Sequence, residues 1–167
     1  MGYQEHKHHI PLSVNCAVVI VSGSRTEQTD ESGKYIMSRL KESGNNVSAY
    51  SIVKNDAAEI LDTISRVLSD GVTQAIITSG GTGASHLDIT IETIEPLIEK
   101  KMDGFGELFR NLTYQEIGTG SILSRAMAGI VKGKVIISLP GSLEAVKMAM
   151  EKIIIPELAH LVREASR

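Results

Sequence analysis

Tryptophan is absent from this 167-residue chain, and aromatic residues make up only 4% of it. A chain so poor in rings has little with which to stack bases. Its net charge of −3 provides no basic field for a phosphate backbone, so nucleic acid is not an expected partner. Cysteine occurs once, as Cys16 in the run Cys16-Ala17-Val18-Val19-Ile20-Val21. That excludes an intrachain disulfide and fits a small core residue in a reducing compartment. No apolar stretch approaches the ~18 residues of a membrane span. Residues 1–9 lack the apolar core of a signal peptide, so a cytoplasmic location is expected. What is present is ordinary for a globular domain: 42% hydrophobic and 22% charged residues, with no internal repeat and enough length for one core without a disulfide or structural metal.

Residues 1–13 are polar, with His6, His8 and His9 close together, and read as a solvated flexible arm ahead of a single domain over 14–167. The unbroken β-branched run over 15–22 predicts a strand buried on both faces. A polar loop follows, then a helix over 32–43 stopped by Gly44, and a strand over 47–53. Asp56 with Glu59 three residues on reads as a capping box, ahead of an apolar stripe of Ile60, Leu61, Ile64, Val67 and Leu68. A short strand over 74–78 feeds a glycine loop. A helix over 90–100 is expected next, disturbed in its middle by Pro96. A short helix over 104–110 follows, then two strands within 127–139 around Lys132-Gly133. Pro140-Gly141-Ser142 opens a closing helix that Pro156 breaks or kinks. Strand and helix alternate, so the expected fold is α/β, an open and largely parallel sheet with helices on both faces. Ligands bind such sheets at the carboxyl ends of the strands, which singles out the loops at 22–31, 79–87 and 140–142.

Ser79-Gly80-Gly81-Thr82-Gly83 is the strongest local signal. Glycines let backbone N–H groups approach an anion closely, and the helix start that follows favours negative charge; a tight turn would use the same glycines. No Gly-Lys-Ser/Thr follows, and the spacing is not that of a dinucleotide fingerprint. Asp88, five residues past Gly83, is either a helix cap or an acid that holds Mg²⁺ against bound phosphates. Asn55 and Asp56 end the second strand and lie toward the same edge, although capping suffices to explain Asp56. Glu107 and Arg110 are spaced to pair on a helix face. Ser124-Arg125 offers a hydroxyl and a guanidinium suited to an oxyanion.

These segments together resemble the MoaB and MogA family of molybdenum-cofactor biosynthesis proteins. The resemblance is carried by Ser79-Gly80-Gly81-Thr82-Gly83 with Asp88-Ile89-Thr90, and by Gly104-Phe105-Gly106-Glu107 to Arg110. Ser124-Arg125-Ala126 with Gly129, Leu139-Pro140-Gly141-Ser142 and the early Val21 to Gly33 stretch add to it. Phe105 to Arg110 and Glu116-Ile117-Gly118-Thr119 look nearer to MoaB than to MogA. The resemblance implies a three-layer α/β/α fold and a homotrimer or a hexamer of two trimers. It implies Mg²⁺-dependent adenylylation of molybdopterin by ATP, with a molybdate-insertion protein downstream. Carried over by position, it implies that Gly80, Gly81, Thr82 and Gly83 cradle phosphate and that Asp88 is the essential, metal-holding acid. Ser22, Ser24, Arg25, Glu107, Ser124, Arg125, Pro140, Gly141 and Ser142 would contact the pterin and nucleotide. The sequence departs from the MogA pattern at Asn55, where those enzymes carry an acid that Asp56 would have to replace, and at His86-Leu87, where a basic pair is usual. Two other readings use the same residues: a non-catalytic carrier of molybdopterin or its adenylate, and a relative acting on another phosphorylated ligand.

Overall fold

The computed structural model describes residues 13–167, so the three N-terminal histidines lie outside the described residues. Six strands form one sheet in the order β2-β1-β3-β6-β5-β4. They are β1 (Asn15–Val21), β2 (Asn46–Val53), β3 (Ala75–Ser79), β4 (Lys100–Lys101), β5 (Met127–Val131) and β6 (Lys134–Leu139). The first four in the row pair in parallel, whereas β5 and β4 add antiparallel at one edge. The sheet is therefore mixed and mostly parallel, as the α/β reading expects.

The continuous apolar run of β1 splits cleanly between two layers because strand side chains alternate. Cys16, Val18 and Ile20 point to one face, where α1 (Glu31–Glu42), α4 (Asp103–Ile117), α5 (Leu143–Ala149) and α6 (Ile155–Ala165) cover them with Ile36, Leu40, Phe109, Val146 and Leu158. Ala17, Val19 and Val21 point to the other, against Ile60, Ile64 and Ile94 of α2 (Ala57–Ser69) and α3 (Thr90–Ile94). Each fully buried Ile or Leu stabilises this arrangement by about 1.5–3 kcal/mol, so the strand ends between the layers are held on a rigid base. Among the described residues no helix is long and apolar enough to cross a membrane.

Local signals set most boundaries. The Asp30 carboxylate accepts from Gly33 N at 3.0 Å and caps α1, with Arg39 and Lys41 in its last turn. Asp56 caps α2 by accepting from Glu59 N at 3.0 Å. Lys132 and Gly133 both have positive φ, the geometry of a two-residue hairpin turn.

Three expectations need correction. The helix expected over 90–100 ends at Ile94; Glu95–Leu97 is a tighter single turn and Lys100–Lys101 is the edge strand β4. Pro96 has no N–H to continue the helical ladder. The short helix at 104–110 instead runs for 15 residues to Ile117 and stops at Gly118, which has φ +64. At the C-terminus, α5 and α6 are joined through a widened turn at Met150–Ile154 just ahead of Pro156. That extra turn length accommodates the missing proline N–H, so the chain continues helically rather than breaking.

Candidate functional site

The loops after β1, β3 and β6 meet because their strands are neighbours in the sheet. Gly80 N donates to Leu139 O at 3.0 Å, and Ser79 Oγ donates to Pro140 O at 3.0 Å. Gly80 has φ +103, and a Cβ there would run into the carbonyl oxygen of Val21. The backbones of β1 and β3 therefore touch at this point only because residue 80 is glycine. Thr90 closes the loop from behind: its Oγ1 donates to Gly80 O at 2.8 Å and its N to Gly81 O at 2.9 Å.

With the loop carbonyls tied back, its donors are left forward. Among the described residues the N–H groups of Gly81, Thr82 and Gly83 donate to no protein acceptor. Three donors in succession are thus left without a partner among the described residues, the kind of group an anion can use. Asp88 lies beside it, since a Cβ on Gly83 would come within 2.5 Å of Asp88 Oδ2. The cap position of α3 is Ile89, without a side-chain cap, so Asp88 is not spent on capping. Its carboxylate makes no ion pair or side-chain hydrogen bond among the described residues.

A cavity of about 570 Å³ opens over this loop, a volume within the usual range for small-molecule sites. Of the residues expected from the sequence, Ser22, Ser24, Arg25, Gly80, Gly81, Thr82, Gly83, Asp88, Ser124, Pro140, Gly141 and Ser142 line it. Ser22 Oγ accepts from Arg25 N at 3.1 Å, folding the β1 loop so that Arg25 Nη2 donates to Gly141 O at 2.8 Å. Ser142 caps α5 by accepting from Ala145 N.

Four expected residues stand elsewhere. Arg125 does not line this cavity: Nη1 donates to Gly83 O at 3.0 Å and Nη2 pairs with Glu92, whose carboxyl it holds below its ordinary value by that hydrogen bond. Arg125 thus braces the glycine loop from behind and faces a second cavity of about 220 Å³ beside Arg110. Glu107 is exposed on the outer face of α4, away from both cavities, and makes no ion pair with Arg110 among the described residues. Asp56 is engaged in its cap. Asn55 is behind the loop, with Nδ2 donating to Leu87 O and a buried Oδ1 that has no partner.

Sequence reasoning missed one wall. Thr113, Glu116 and Ile117 of α4, Leu123 of the turn after it, and Glu144, Ala145 and Met148 of α5 complete the cavity. Only the full length of α4 brings Thr113, Glu116 and Ile117 to the loop. Met148 is buried and also faces the cavity. Among the described residues no three His, Cys, Asp or Glu side chains cluster as a ready-made metal site. A single free carboxylate beside the unpartnered N–H groups of the glycine loop nonetheless has the chemistry for Mg²⁺, which is commonly held by one or two carboxylates together with substrate phosphates.

Comparison with known proteins agrees with this geometry. The profile of the family described as "Probable molybdopterin binding domain" matches residues 17–160. Molybdenum cofactor biosynthesis protein B of Bacillus subtilis is 48% identical over 165 residues, covering 98% of this chain and 97% of that protein. A crystal structure of a molybdenum cofactor biosynthesis protein B superposes with a TM-score of 0.90 at 42% identity, covering 94% of this chain and 98% of the other. The tungsten cofactor synthesizing protein MoaB from Pyrococcus furiosus superposes with a TM-score of 0.86 at 37% identity, covering 94% and 99%. The chain belongs to the molybdopterin-binding domain family of molybdenum cofactor biosynthesis proteins, on its MoaB side.

Proposed function

We propose that this cavity transfers an adenylyl group from ATP to molybdopterin. A terminal phosphate oxygen of molybdopterin attacks the α-phosphorus of ATP, the bond to the bridging oxygen breaks, and pyrophosphate leaves with that electron pair. The observation that carries the reading is the row of free N–H groups at Gly81, Thr82 and Gly83 with the uncommitted Asp88 carboxylate beside it. Such a transfer asks the protein mainly to position the reactants and to stabilise charge on phosphate oxygens. The loop N–H groups do so as fixed dipoles, and Arg25 adds a guanidinium from the neighbouring loop after β1. Mg²⁺ bound by Asp88 and phosphate oxygens would supply charge neutralisation at the leaving group. The apolar wall of Ile117, Leu123 and Met148 gives a flat heterocycle a surface to lie on.

The test is pyrophosphate release with ATP, Mg²⁺ and molybdopterin. Asp88→Asn is expected to lose about 3 kcal/mol of transition-state stabilisation, roughly a hundredfold in rate, while still binding molybdopterin. Undiminished release by Asp88→Asn would remove the acid from the mechanism.

A second reading, a carrier that binds molybdopterin or its adenylate without making it, is favoured by Asn55. That amide spends its donor on Leu87 O and leaves Asp88 without a carboxylate neighbour from the end of β2. Tight molybdopterin binding with no pyrophosphate release would establish the carrier. In either case a molybdate-insertion protein is the expected recipient.

The same reading includes threefold self-association. It is supported by exposed Tyr114, Ile117, Ile122 and Leu123, which make an apolar surface along the end of α4 and the following turn. Light scattering at micromolar concentration is expected to report a trimer or hexamer; a stable monomer contradicts it.

A further inference from the structure

Asp30 is fully buried, yet capping α1 does not require burial. Capping aspartates commonly stand in water, and a cap stabilises far less than burying a carboxylate costs. The remaining contacts of Asp30 account for the difference. Its Oδ1 accepts from Gly33 N at 3.0 Å and lies 3.6 Å from Arg25 Nη1. Its Oδ2 accepts from Tyr50 OH at 2.7 Å. A Cβ on Gly33 would overlap Oδ2 and come within 3.0 Å of the Tyr50 ring, so only glycine leaves the carboxylate its place. Burial, together with the hydrogen bond to Asp30, raises the Tyr50 hydroxyl above its ordinary pKa and keeps it a donor at neutral pH.

The chain of contacts leads from β2 to the cavity. Arg25 Nη2 donates to Gly141 O at 2.8 Å, and Ser32 Oγ donates to the same oxygen at 2.9 Å. The guanidinium is thus held on one side by a carboxylate and on the other by the loop that follows β6. Its side chain remains 30% exposed and lines the cavity, next to Gly141, which itself abuts Gly80 of the glycine loop. A guanidinium has five donors in a fixed plane, so fixing two directions aims the rest.

We propose that Asp30 and Tyr50 are positioning residues that aim the Arg25 guanidinium into the cavity as the second half of an anion clamp, beside the glycine-loop N–H groups. The ligand class is a phosphate or pyrophosphate group, and in this the inference rests on the phosphate-binding reading of the cavity. Neither Asp30 nor Tyr50 touches the ligand; both act through Arg25.

Tyr50→Phe removes one hydroxyl and leaves the ring packing. Two measurements decide the proposal. Relaxation of the Arg25 Nε–H by ¹⁵N NMR is expected to show greater mobility in Tyr50→Phe than in the wild type. Inorganic pyrophosphate titrated calorimetrically is expected to bind about fivefold more weakly to Tyr50→Phe, on the scale of one lost hydrogen bond. In an Arg25→Ala background the same change is expected to have no further effect on affinity, although any loss of thermal stability persists. An Arg25 Nε–H as rigid as in the wild type, or an equal affinity loss with and without Arg25, overturns the proposal. If the wild type binds no pyrophosphate, the phosphate-binding reading fails separately and the relaxation measurement still decides positioning. If Tyr50→Phe shows no cooperative unfolding transition, Asp30→Asn, which keeps a capping oxygen, carries both measurements with the same expected outcomes.

Discussion

Replacing Gly81 with alanine drives a methyl group into Thr90 Oγ1 and within 2.7 Å of Asn55 Oδ1. Residue 81 also has φ +64, a left-handed conformation that costs a residue with a Cβ about 1–2 kcal/mol. To make room, Thr90 must give up its hydrogen bond to Gly80 O, worth about 1 kcal/mol. The sum, about 2–3 kcal/mol, is smaller than the ~5–15 kcal/mol stability of a domain, so the fold survives. For a chain of this size the midpoint of thermal unfolding is expected to fall by about 5–10 °C. Binding suffers more than stability, because the same displacement turns the N–H groups of residues 81–83 away from the cavity. Loss of one charge-assisted hydrogen bond weakens ATP binding by at least about tenfold. Gly104→Ala is the control: nothing lies within 4 Å of its Cβ position, it stands in the first turn of α4, and it does not line either cavity. It is expected to leave affinity unchanged and stability equal or higher. Thermal unfolding and calorimetric titration with ATP suffice. A Gly81→Ala protein that melts like the wild type and binds ATP equally would refute the loop assignment.

Three further outcomes follow from other parts of the molecule. Asn55→Asp, which would restore the acid of MogA-type enzymes, is expected to slow pyrophosphate release by about tenfold, because a carboxylate cannot donate to Leu87 O and repels it; a faster variant contradicts this. Cys16 is fully buried, and burial pushes its thiol up to about 12, so a maleimide at pH 8 should label it only after unfolding; rapid labelling of the native protein contradicts its place in the core. Burial alone would raise the Asp70 carboxyl, but hydrogen bonds from Thr73, Val72 and Lys134 outweigh it and hold Asp70 well below the usual carboxylate range. Its stabilisation is therefore present above the unfolded value of about 3.9 and fades as the pH falls toward the folded value. Asp70→Ala should melt lower than wild type at pH 7 by a margin that narrows at pH 3, and a constant margin contradicts the assignment.

The layers of this fold were legible because each rests on a short-range rule. Burial of β1 on both faces follows from the run Cys16 to Val21, and the cap of α2 follows from Asp56 and Glu59. The glycine loop was legible for the same reason, since positive φ at Gly80 and Gly81 is a local property that glycine permits. What was not legible depends on distant partners. Beyond Arg110, α4 turns only the partly buried Leu112 and the buried Thr113 inward, too sparse a stripe to reveal the helix that carries Thr113, Glu116 and Ile117 to the cavity. Arg125 is turned behind the loop by Glu92, 33 residues away in sequence. The burial of Asp30 depends on Tyr50 and Arg25, which only the fold brings beside it. Asn55 stands at the strand end the sequence indicates, but whether its amide faces the cavity or the back of the loop is decided by the path of Leu87.

The transfer of the α-phosphate tests the central claim most directly. ATP labelled at its α-phosphate is incubated with the wild-type protein, Mg²⁺ and molybdopterin, and the products are separated. Adenylylation predicts label in the pterin product with an equal amount of pyrophosphate released. Label that stays in ATP while molybdopterin is tightly bound would contradict that account and make the cavity a carrier site.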